Sequence, residues 1–173
     1  NQSPWKNNLE TLYQLEMERF RQRIPKSLAL HERGKAAMPN GVPVTWMVSL
    51  HDHPPIFVAE GAGAYLLDVD GNRYLDMNHA DLSMSCGYAH PAIVAATCDQ
   101  VSRGSQFLMP GQVAIDVSEL LAARFGLPKW QYTLSASTAN KECIEVARAH
   151  TGRKRVLVFD GSYHGHIPET LDA

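Results

Sequence analysis

The sequence predicts an α/β protein that contains a parallel sheet, with helices and a small antiparallel meander before it. Residues 130–134 and 155–159 are short apolar runs typical of buried strands, and residues 138–150 between them have the pattern of a helix. A helix between two strands forms a βαβ unit, in which the strands are parallel and the crossover is right-handed. Residues 56–77 contain short β-rich runs separated by glycines and an Asp-Gly turn, which predicts the meander.

Two helices are predicted ahead of the meander. The first covers about residues 5–23 and ends before Pro25. Its apolar positions recur at helical spacing, and they are Leu9, Leu12, Tyr13, Met17 and Phe20. The second is predicted from Ser27, as its N-cap, to about Met38, where a Pro-Asn-Gly sequence ends it.

Two more helices are predicted after the meander. Residues 78–90 have no clear pattern and are expected to form a loop that can face a cleft. Pro91 suits the first turn of a helix over about residues 92–103. A further helix ends at Gly126, and its apolar positions are Val113, Val117, Leu120, Leu121 and Phe125.

The composition is that of an ordinary globular protein, with 45% hydrophobic and 20% charged residues. The formal net charge of −2 gives no basic footprint, so nucleic acid is not an expected partner. Three widely spaced cysteines without a C-x-x-C pattern indicate neither a disulfide framework nor a zinc ribbon and favour a reducing cytoplasm. No run reaches the ~18 apolar residues that span a bilayer, so no membrane association is expected.

A candidate anion site lies at residues 135–138, where a predicted strand meets a predicted helix. Ser135, Ser137 and Thr138 gather three hydroxyls beside the unpaired N–H groups and positive dipole end of the helix. These features suit a phosphate, although simple N-capping by Ser137 or Thr138 would use the same residues. The loop lacks the glycine spacing of nucleoside triphosphate and dinucleotide sites.

A second candidate site follows the apolar run that ends at Phe159. A tyrosine at this position, Tyr163, can cover a flat heteroaromatic ring, and His164 beside it can hydrogen-bond or exchange protons. The alternatives are a tyrosine packed under a loop and solvent-exposed histidines, and we expect His166 to serve only local structure. No metal site is predicted, because H-x-H lacks a third ligand at a usable spacing.

The meander carries several aspartates that resemble a calcium loop only superficially. Asp68 and Asp70 lie in a D-x-D-G-N sequence without the later bidentate Glu, and the Asp-Gly turn accounts for them. Asp81 lies in the uncertain stretch after the meander, where either a cleft or a surface loop is possible.

Taken together, the anion loop and the tyrosine predict a phosphorylated aromatic cofactor.

An ordered series of motifs over about residues 28–170 resembles class III pyridoxal-phosphate (PLP) aminotransferases, most closely the glutamate-1-semialdehyde aminomutase-like branch. The motifs are PNGV (39–42), GAYLLDVDGNRYLDM (63–77), GYAHPAI (87–93), SASTAN (135–140), ARAHTGRKRV (147–156) and FDGSYHGH (159–166). The resemblance implies fold type I, with a mostly parallel sheet flanked by helices, and a homodimer with active sites at the subunit interface. It also implies that small-molecule amino donors and carbonyl acceptors are the substrates.

The resemblance divides the chain and assigns its cofactor residues. It implies an N-terminal helical segment and linker in residues 1–55, the meander and cleft loop in 56–90, and the first part of the large PLP-binding domain in 91–173. In the family the pattern S-G-T-E-A-N holds the phosphate, and its first three positions are Ser135, Ala136 and Ser137. The Y-H-G tyrosine stacks on the pyridine ring and corresponds to Tyr163, with His164 beside it.

Several positions depart from the family pattern. The family glutamate of the phosphate motif is replaced by Thr138, and the aromatic residue after the hairpin is replaced by Asp81. An arginine that binds a substrate carboxylate in the aminomutases aligns with Met47, so a substrate other than glutamate semialdehyde is expected. Asp81 and Trp46 are the candidate substrate contacts.

The family's Schiff-base lysine and its pyridine-binding aspartate are expected beyond Ala173, since Lys141 and Lys154 do not match the lysine motif. The chain is therefore predicted to be the N-terminal part of a PLP-dependent aminotransferase, which transfers an amino group between an amino acid or amine and a keto acid or aldehyde. The alternatives are an aminomutase or racemase of the same family, and a non-catalytic truncated homologue that acts as a structural or interaction protein.

Overall fold

A computed structural model describes residues 4–171, with side chains described for residues 8–169. The helices of eight residues or more are α1 (Pro4–Arg23), α2 (Pro25–Gly34), α4 (Pro91–Ser102), α5 (Gln112–Phe125) and α6 (Ala136–Thr151). Shorter helices are α3 (Trp46–Ser49) and α7 (Pro168–Leu171), and a single 3₁₀ turn covers Pro39–Gly41. The chain divides into two compact units between Ser105 and Gln106. None of the helices in the described residues is long and apolar enough to cross a membrane.

The antiparallel meander is confirmed and consists of β1 (Val58–Ala62), β2 (Tyr65–Asp68) and β3 (Arg73–Leu75). The three strands lie in sequence order in one sheet. Ala62 faces Tyr65 across the first turn, and Tyr65 faces Leu75 on the next strand. The second turn contains Gly71, whose φ of +90° favours glycine, as the Asp-Gly sequence predicted.

Helix α2 begins differently from the prediction. Ser27 is not its N-cap, because the helix begins two residues earlier, with Pro25 at its first turn. The missing cap comes from the meander: one carboxylate oxygen of Asp70 accepts the N–H of Lys26 at 2.6 Å, and the other accepts the N–H and hydroxyl of Ser27 at 2.9 and 2.7 Å. A carboxylate at this end of a helix also complements the helix dipole. Asp70 therefore joins the N-terminal helices to the sheet.

Asp68 forms the centre of the same junction and is 2% exposed. One of its oxygens accepts the N–H groups of Asp70 and Asn72 at 3.0 and 2.7 Å. The other accepts the Asn72 side-chain amide and the Tyr74 hydroxyl, both at 2.9 Å. Four donors thus converge on one buried carboxylate, which fixes the turn between β2 and β3.

Most helix ends follow from local signals in the sequence. Pro91 begins α4, and Gly126 ends α5 in the left-handed conformation with φ of +70°. The prediction for α2 was wrong at its other end, because the helix stops at Gly34 rather than near Met38. A Cβ on Gly34 would lie 2.4 Å from the Gly41 carbonyl oxygen, so the returning chain packs directly on the end of the helix.

The prediction of a parallel sheet has to be corrected. Within the described residues the only paired strands are those of the antiparallel meander, and residues 130–134 and 155–159 form no ladder. Their apolar side chains remain in the open: Leu157 is 95% and Phe159 77% exposed. An apolar run indicates a segment suited to a buried strand, but a strand forms only when a neighbour supplies its hydrogen bonds.

Helix α6 is the scaffold of the second unit. Near its C-terminal end the Arg148 guanidinium donates to the carbonyl of Lys154 at 3.0 Å and to the carboxylate of Glu169 at 2.8 Å. The hydrogen bond from Arg148 is the main cause that holds the pKa of Glu169 below its ordinary value. These contacts tie the segment after the helix back onto it, and Ile167 is buried in the same segment.

Candidate cofactor site

The N-terminus of α6 offers two backbone donors. Ser135 is the N-cap, and its Oγ accepts the Thr138 N–H at 3.1 Å, so capping falls to Ser135 rather than to Ser137 or Thr138. The carbonyl of Ser135 accepts the Ala139 N–H at 2.9 Å. No partner is recorded among the described residues for the N–H groups of Ala136 and Ser137. Two free donors at the positive end of a 16-residue helix fit a phosphate group.

The segment that carries Tyr163 is attached to this helix end. The Ser137 Oγ accepts the His166 N–H at 3.0 Å, and the Asn140 side-chain amide donates to the His164 carbonyl at 2.7 Å. Tyr163 is three residues from His166, and three residues span at most about 10 Å. The backbone of Tyr163 therefore lies within about 10 Å of the residue that is bonded to the predicted anion loop.

Gly165 lies at the closest approach between the two segments. It is buried and has φ of +105°, and a Cβ built on it would lie 2.9 Å from the Ser137 Cα and 2.8 Å from its Oγ. Any side chain here would separate the segment from the helix. Both the backbone conformation and the lack of space therefore require glycine at this position.

The ionisable and aromatic side chains of the segment are open. Tyr163 is 76% exposed, which leaves a face of its ring available for stacking. His164 and His166 are also exposed, and their recorded hydrogen bonds in the described part of the chain involve only their backbone atoms. His166 thus serves local structure through its N–H.

Asp81 lies in the other unit, in a strained loop. Four consecutive non-glycine residues from His79 to Leu82 have φ between +48° and +67°, which forms a short left-handed turn. Such a conformation costs about 1–2 kcal/mol per residue and persists only when neighbours hold it. Here the Asn78 and Asp81 side chains hold it, because the Asn78 amide donates to the Asp81 carboxylate and its oxygen accepts the Asp81 N–H.

Asp76 and Tyr88 anchor the two ends of this loop. The Tyr88 hydroxyl donates to Asp76, whose other oxygen accepts the Asn78 and His79 N–H groups. The Tyr88 hydrogen bond is the first cause that lowers the pKa of Asp76, and the same bond raises the pKa of Tyr88. Tyr88 also exchanges two backbone hydrogen bonds with Gly63, so the loop returns to the meander.

Trp46 begins α3 and is about half exposed. Between Trp46 and Asp81 the described residues show neither a hydrogen bond nor a ring contact. The two candidate substrate contacts therefore remain separate predictions.

Sequence reasoning missed Asn140 and Gly165 as parts of the site. Both lie inside motifs that the resemblance quotes, at the end of SASTAN and between the two histidines of YHGH. The signals that could have indicated these contacts are a glycine inside the predicted ring-binding segment and a polar residue one turn after the predicted anion loop.

The solved structures with similar folds include one with PLP bound and one in complex with PMP. A glutamate-1-semialdehyde aminomutase from Pseudomonas aeruginosa PAO1 is 36% identical, with a TM-score of 0.87 over 93% of this chain and 36% of that chain. A structure of a variant of that enzyme is in complex with PMP. A transaminase with PLP bound is 32% identical, with a TM-score of 0.76 over 84% of this chain and 34% of that chain. These folds are those of fold type I PLP-dependent enzymes.

The chain belongs to the class-III aminotransferase family, whose model matches residues 47–173. Among curated relatives, the glutamate-1-semialdehyde 2,1-aminomutase of Rhodopirellula baltica is 34% identical over 152 residues, which cover 86% of this chain and 34% of the relative. The chain thus spans about a third of the length of the relatives it matches. The family resemblance is confirmed, and so is PLP as the family's cofactor.

Proposed function

We propose that this chain forms part of a PLP site, with the phosphate at the N-terminus of α6 and the ring against Tyr163. The observation that carries the proposal is the attachment of the Tyr163 segment to the helix end that offers free N–H groups. The Ala136 and Ser137 N–H groups would donate to the phosphate. Because the Ser137 Oγ already accepts from His166, its own proton is directed elsewhere and can also be donated to the phosphate.

The proposed reaction is transfer of an amino group between an amino acid or amine and a keto acid or aldehyde. When bound, PLP supplies an electron sink for the substrate carbon. In this chain Tyr163 would fix the plane of the ring, Ser135 would hold the phosphate loop through its cap, and His164 would lie beside the ring. We assign no covalent cofactor lysine within these residues.

A second candidate is an aminomutase, because the curated relative reported above is a glutamate-1-semialdehyde 2,1-aminomutase. The alignment of Met47 with the family arginine favours a different substrate from that of this relative. A racemase would use the same half-site. Product analysis with a single-enantiomer amine separates the three: a new carbonyl compound indicates transamination, a positional isomer indicates a mutase, and loss of optical purity indicates a racemase.

The test of the cofactor proposal uses the complete natural polypeptide that carries these residues. We expect it to bind PLP in a one-to-one ratio, with a change in the absorption spectrum of the cofactor, and to convert it to PMP when an amine donor is added. A polypeptide that folds but shows no saturable PLP binding would favour the non-catalytic alternative, a structural or interaction protein.

A homodimer in the cytoplasm is proposed for the complete protein. Large apolar side chains are exposed across the described residues, which is typical of surface that a further part or partner covers. The three free cysteines, all exposed, fit a reducing compartment. Analytical ultracentrifugation should give twice the mass of the polypeptide. A stable monomer would contradict the proposed homodimer.

Substitution of Tyr163 should weaken cofactor binding. Tyr163→Ala removes a stacking ring, and we expect PLP affinity to fall by about 1 kcal/mol, which is about fivefold. Tyr163→Phe keeps the ring and is the matched control, so its affinity should stay near that of the wild type. The measurement is a PLP titration followed by absorbance, and equal affinity in both variants would remove the stacking role.

Asp81 and Trp46 are proposed as substrate contacts. The second carboxylate oxygen of Asp81 has no recorded partner among the described residues and can meet a positively charged substrate group. We expect Asp81→Asn to raise KM for diamine donors more than for monoamines, with PLP affinity unchanged.

The exposed indole of Trp46 suits an apolar part of the substrate, so Trp46→Ala should raise KM for apolar donors most.

A further inference from the structure

We propose that Asn140 is a positioning residue for the cofactor: its side-chain amide holds the His164 carbonyl and thereby sets the Tyr163 ring relative to the phosphate-binding end of α6. The inference rests on the proposed function of this site and names a residue that contacts the Tyr163 segment rather than the cofactor. Its basis is the hydrogen bond from the Asn140 Nδ2 to the His164 oxygen at 2.7 Å.

Asn140 and Ser137 act on the same segment because they are three residues apart on one helix and lie on the same face. Ser137 holds the N–H of His166, and Asn140 holds the carbonyl of His164. The two hydrogen bonds lie on either side of Gly165, where the backbone contacts the helix too closely for a side chain. The segment is therefore fixed at three consecutive residues.

Tyr163 immediately precedes the residue that Asn140 holds. Its ring is largely exposed, so packing contributes little to its orientation. The His164 carbonyl belongs to the peptide group after His164, and fixing that group restrains the backbone between Tyr163 and the helix. Only an N–H or O–H donor can make this contact, which distinguishes asparagine from aspartate, whose ionised carboxylate only accepts.

The experiment is a double-mutant cycle in the complete natural polypeptide. Asn140→Ala, Tyr163→Ala and the double variant are titrated with PLP, and the unfolding midpoint of each cofactor-free protein is measured in denaturant. Loss of one exposed hydrogen bond should weaken PLP binding about fivefold when Tyr163 is present and leave it unchanged when Tyr163 is already alanine. The visible circular dichroism of bound PLP should change as well, because it reports the ring's orientation.

Two controls lie on the same helix. Glu142→Ala changes an exposed side chain with no hydrogen bond recorded in the described part of the chain, and it should leave every readout unchanged. Arg148→Ala removes the contacts at the other end of α6, about 12 Å away along the helix axis. Because these contacts also hold the segment that carries Tyr163, it should lower the unfolding midpoint and change PLP affinity by the same factor in the wild-type and Tyr163→Ala backgrounds, which is the result expected of a purely structural loss.

The outcomes separate the inference from the proposed function. Equal weakening by Asn140→Ala in both Tyr163 backgrounds would overturn the positioning role, as would an unchanged affinity in the single variant while Tyr163→Ala binds more weakly. No saturable PLP binding in the wild type would instead overturn the proposed function. If Asn140→Ala does not fold, Asn140→Asp keeps the shape without the donor and enters the same cycle.

Discussion

Gly165→Ala is expected to cause the largest loss at the candidate cofactor site. The free energy of unfolding should fall by about 3 kcal/mol, because the substitution combines a strained backbone with a steric clash. The φ of +105° is unfavourable for any residue with a Cβ, and the added carbon would lie 2.9 Å from the Ser137 Cα. PLP affinity should fall too, since the segment that carries Tyr163 must move away from the helix. Denaturant unfolding and a PLP titration measure the two effects.

Gly161→Ala is the matched control for this prediction. Gly161 lies four residues earlier in the same segment and also has positive φ, at +71°, but nothing lies within 4 Å of a Cβ built on it. It should cost only about 1 kcal/mol, the ordinary cost of the left-handed conformation. The difference between the two variants therefore measures the close approach to Ser137. Equal losses would mean that the two segments are not packed as described.

The elements that the sequence predicted well are those that depend on neighbouring residues. Pro91 at the start of α4 and Gly126 at the end of α5 act through their own backbone angles, so no distant contact is needed. The prediction of where α2 begins was wrong because it depends on a distant residue. Its cap, Asp70, is 43 residues away from Ser27, and no local pattern records that contact.

The two apolar runs show the same limit for sheets. Residues 155–159 have the composition of a buried strand, but pairing depends on a neighbour that composition does not identify. At the candidate site, residue chemistry pointed to Ser137 and Tyr163 separately. Their attachment through Asn140 and Gly165 is a packing relation between two segments, and it becomes visible only when both are placed in space.

Removal of the Asp68 carboxylate is expected to destabilise the junction between the meander and the N-terminal helices. Asp68→Ala leaves four donors without their shared acceptor in a site that water hardly reaches, and we expect a loss of about 3 kcal/mol in the free energy of unfolding. Asp99→Ala is the control, because the ion pair of Asp99 with Arg103 is exposed and such pairs contribute little. A similar loss of unfolding free energy in both variants would argue against a stabilising role for the buried hydrogen bonds of Asp68.

The pH dependence of stability gives a second test of the hydrogen bonds that Asp68 accepts. Burial raises the pKa of Asp68, but the hydrogen bonds from Asn72, Tyr74 and Asp70 outweigh burial and leave the pKa below its ordinary value. A carboxyl whose pKa is lowered on folding contributes stability above its unfolded pKa of about 4, and that contribution is lost as the pH falls through the folded pKa. The wild type should therefore lose more stability than Asp68→Ala below about pH 4.

Tyr74 extends the pH test to alkaline conditions. Burial, together with its hydrogen bond to Asp68, raises the pKa of Tyr74 to about 12. Because the folded pKa exceeds the unfolded value of about 10, the stabilisation is complete below pH 10 and disappears as the pH rises through 12. Tyr74→Phe should remove this alkaline dependence and leave most of the acid dependence, since three of the four donors to Asp68 remain. If the unfolding midpoint of Tyr74→Phe falls at alkaline pH as much as that of the wild type, another group titrates in this range. The hydrogen bond from the Tyr74 hydroxyl to Asp68 would then not be the source of the alkaline pH dependence.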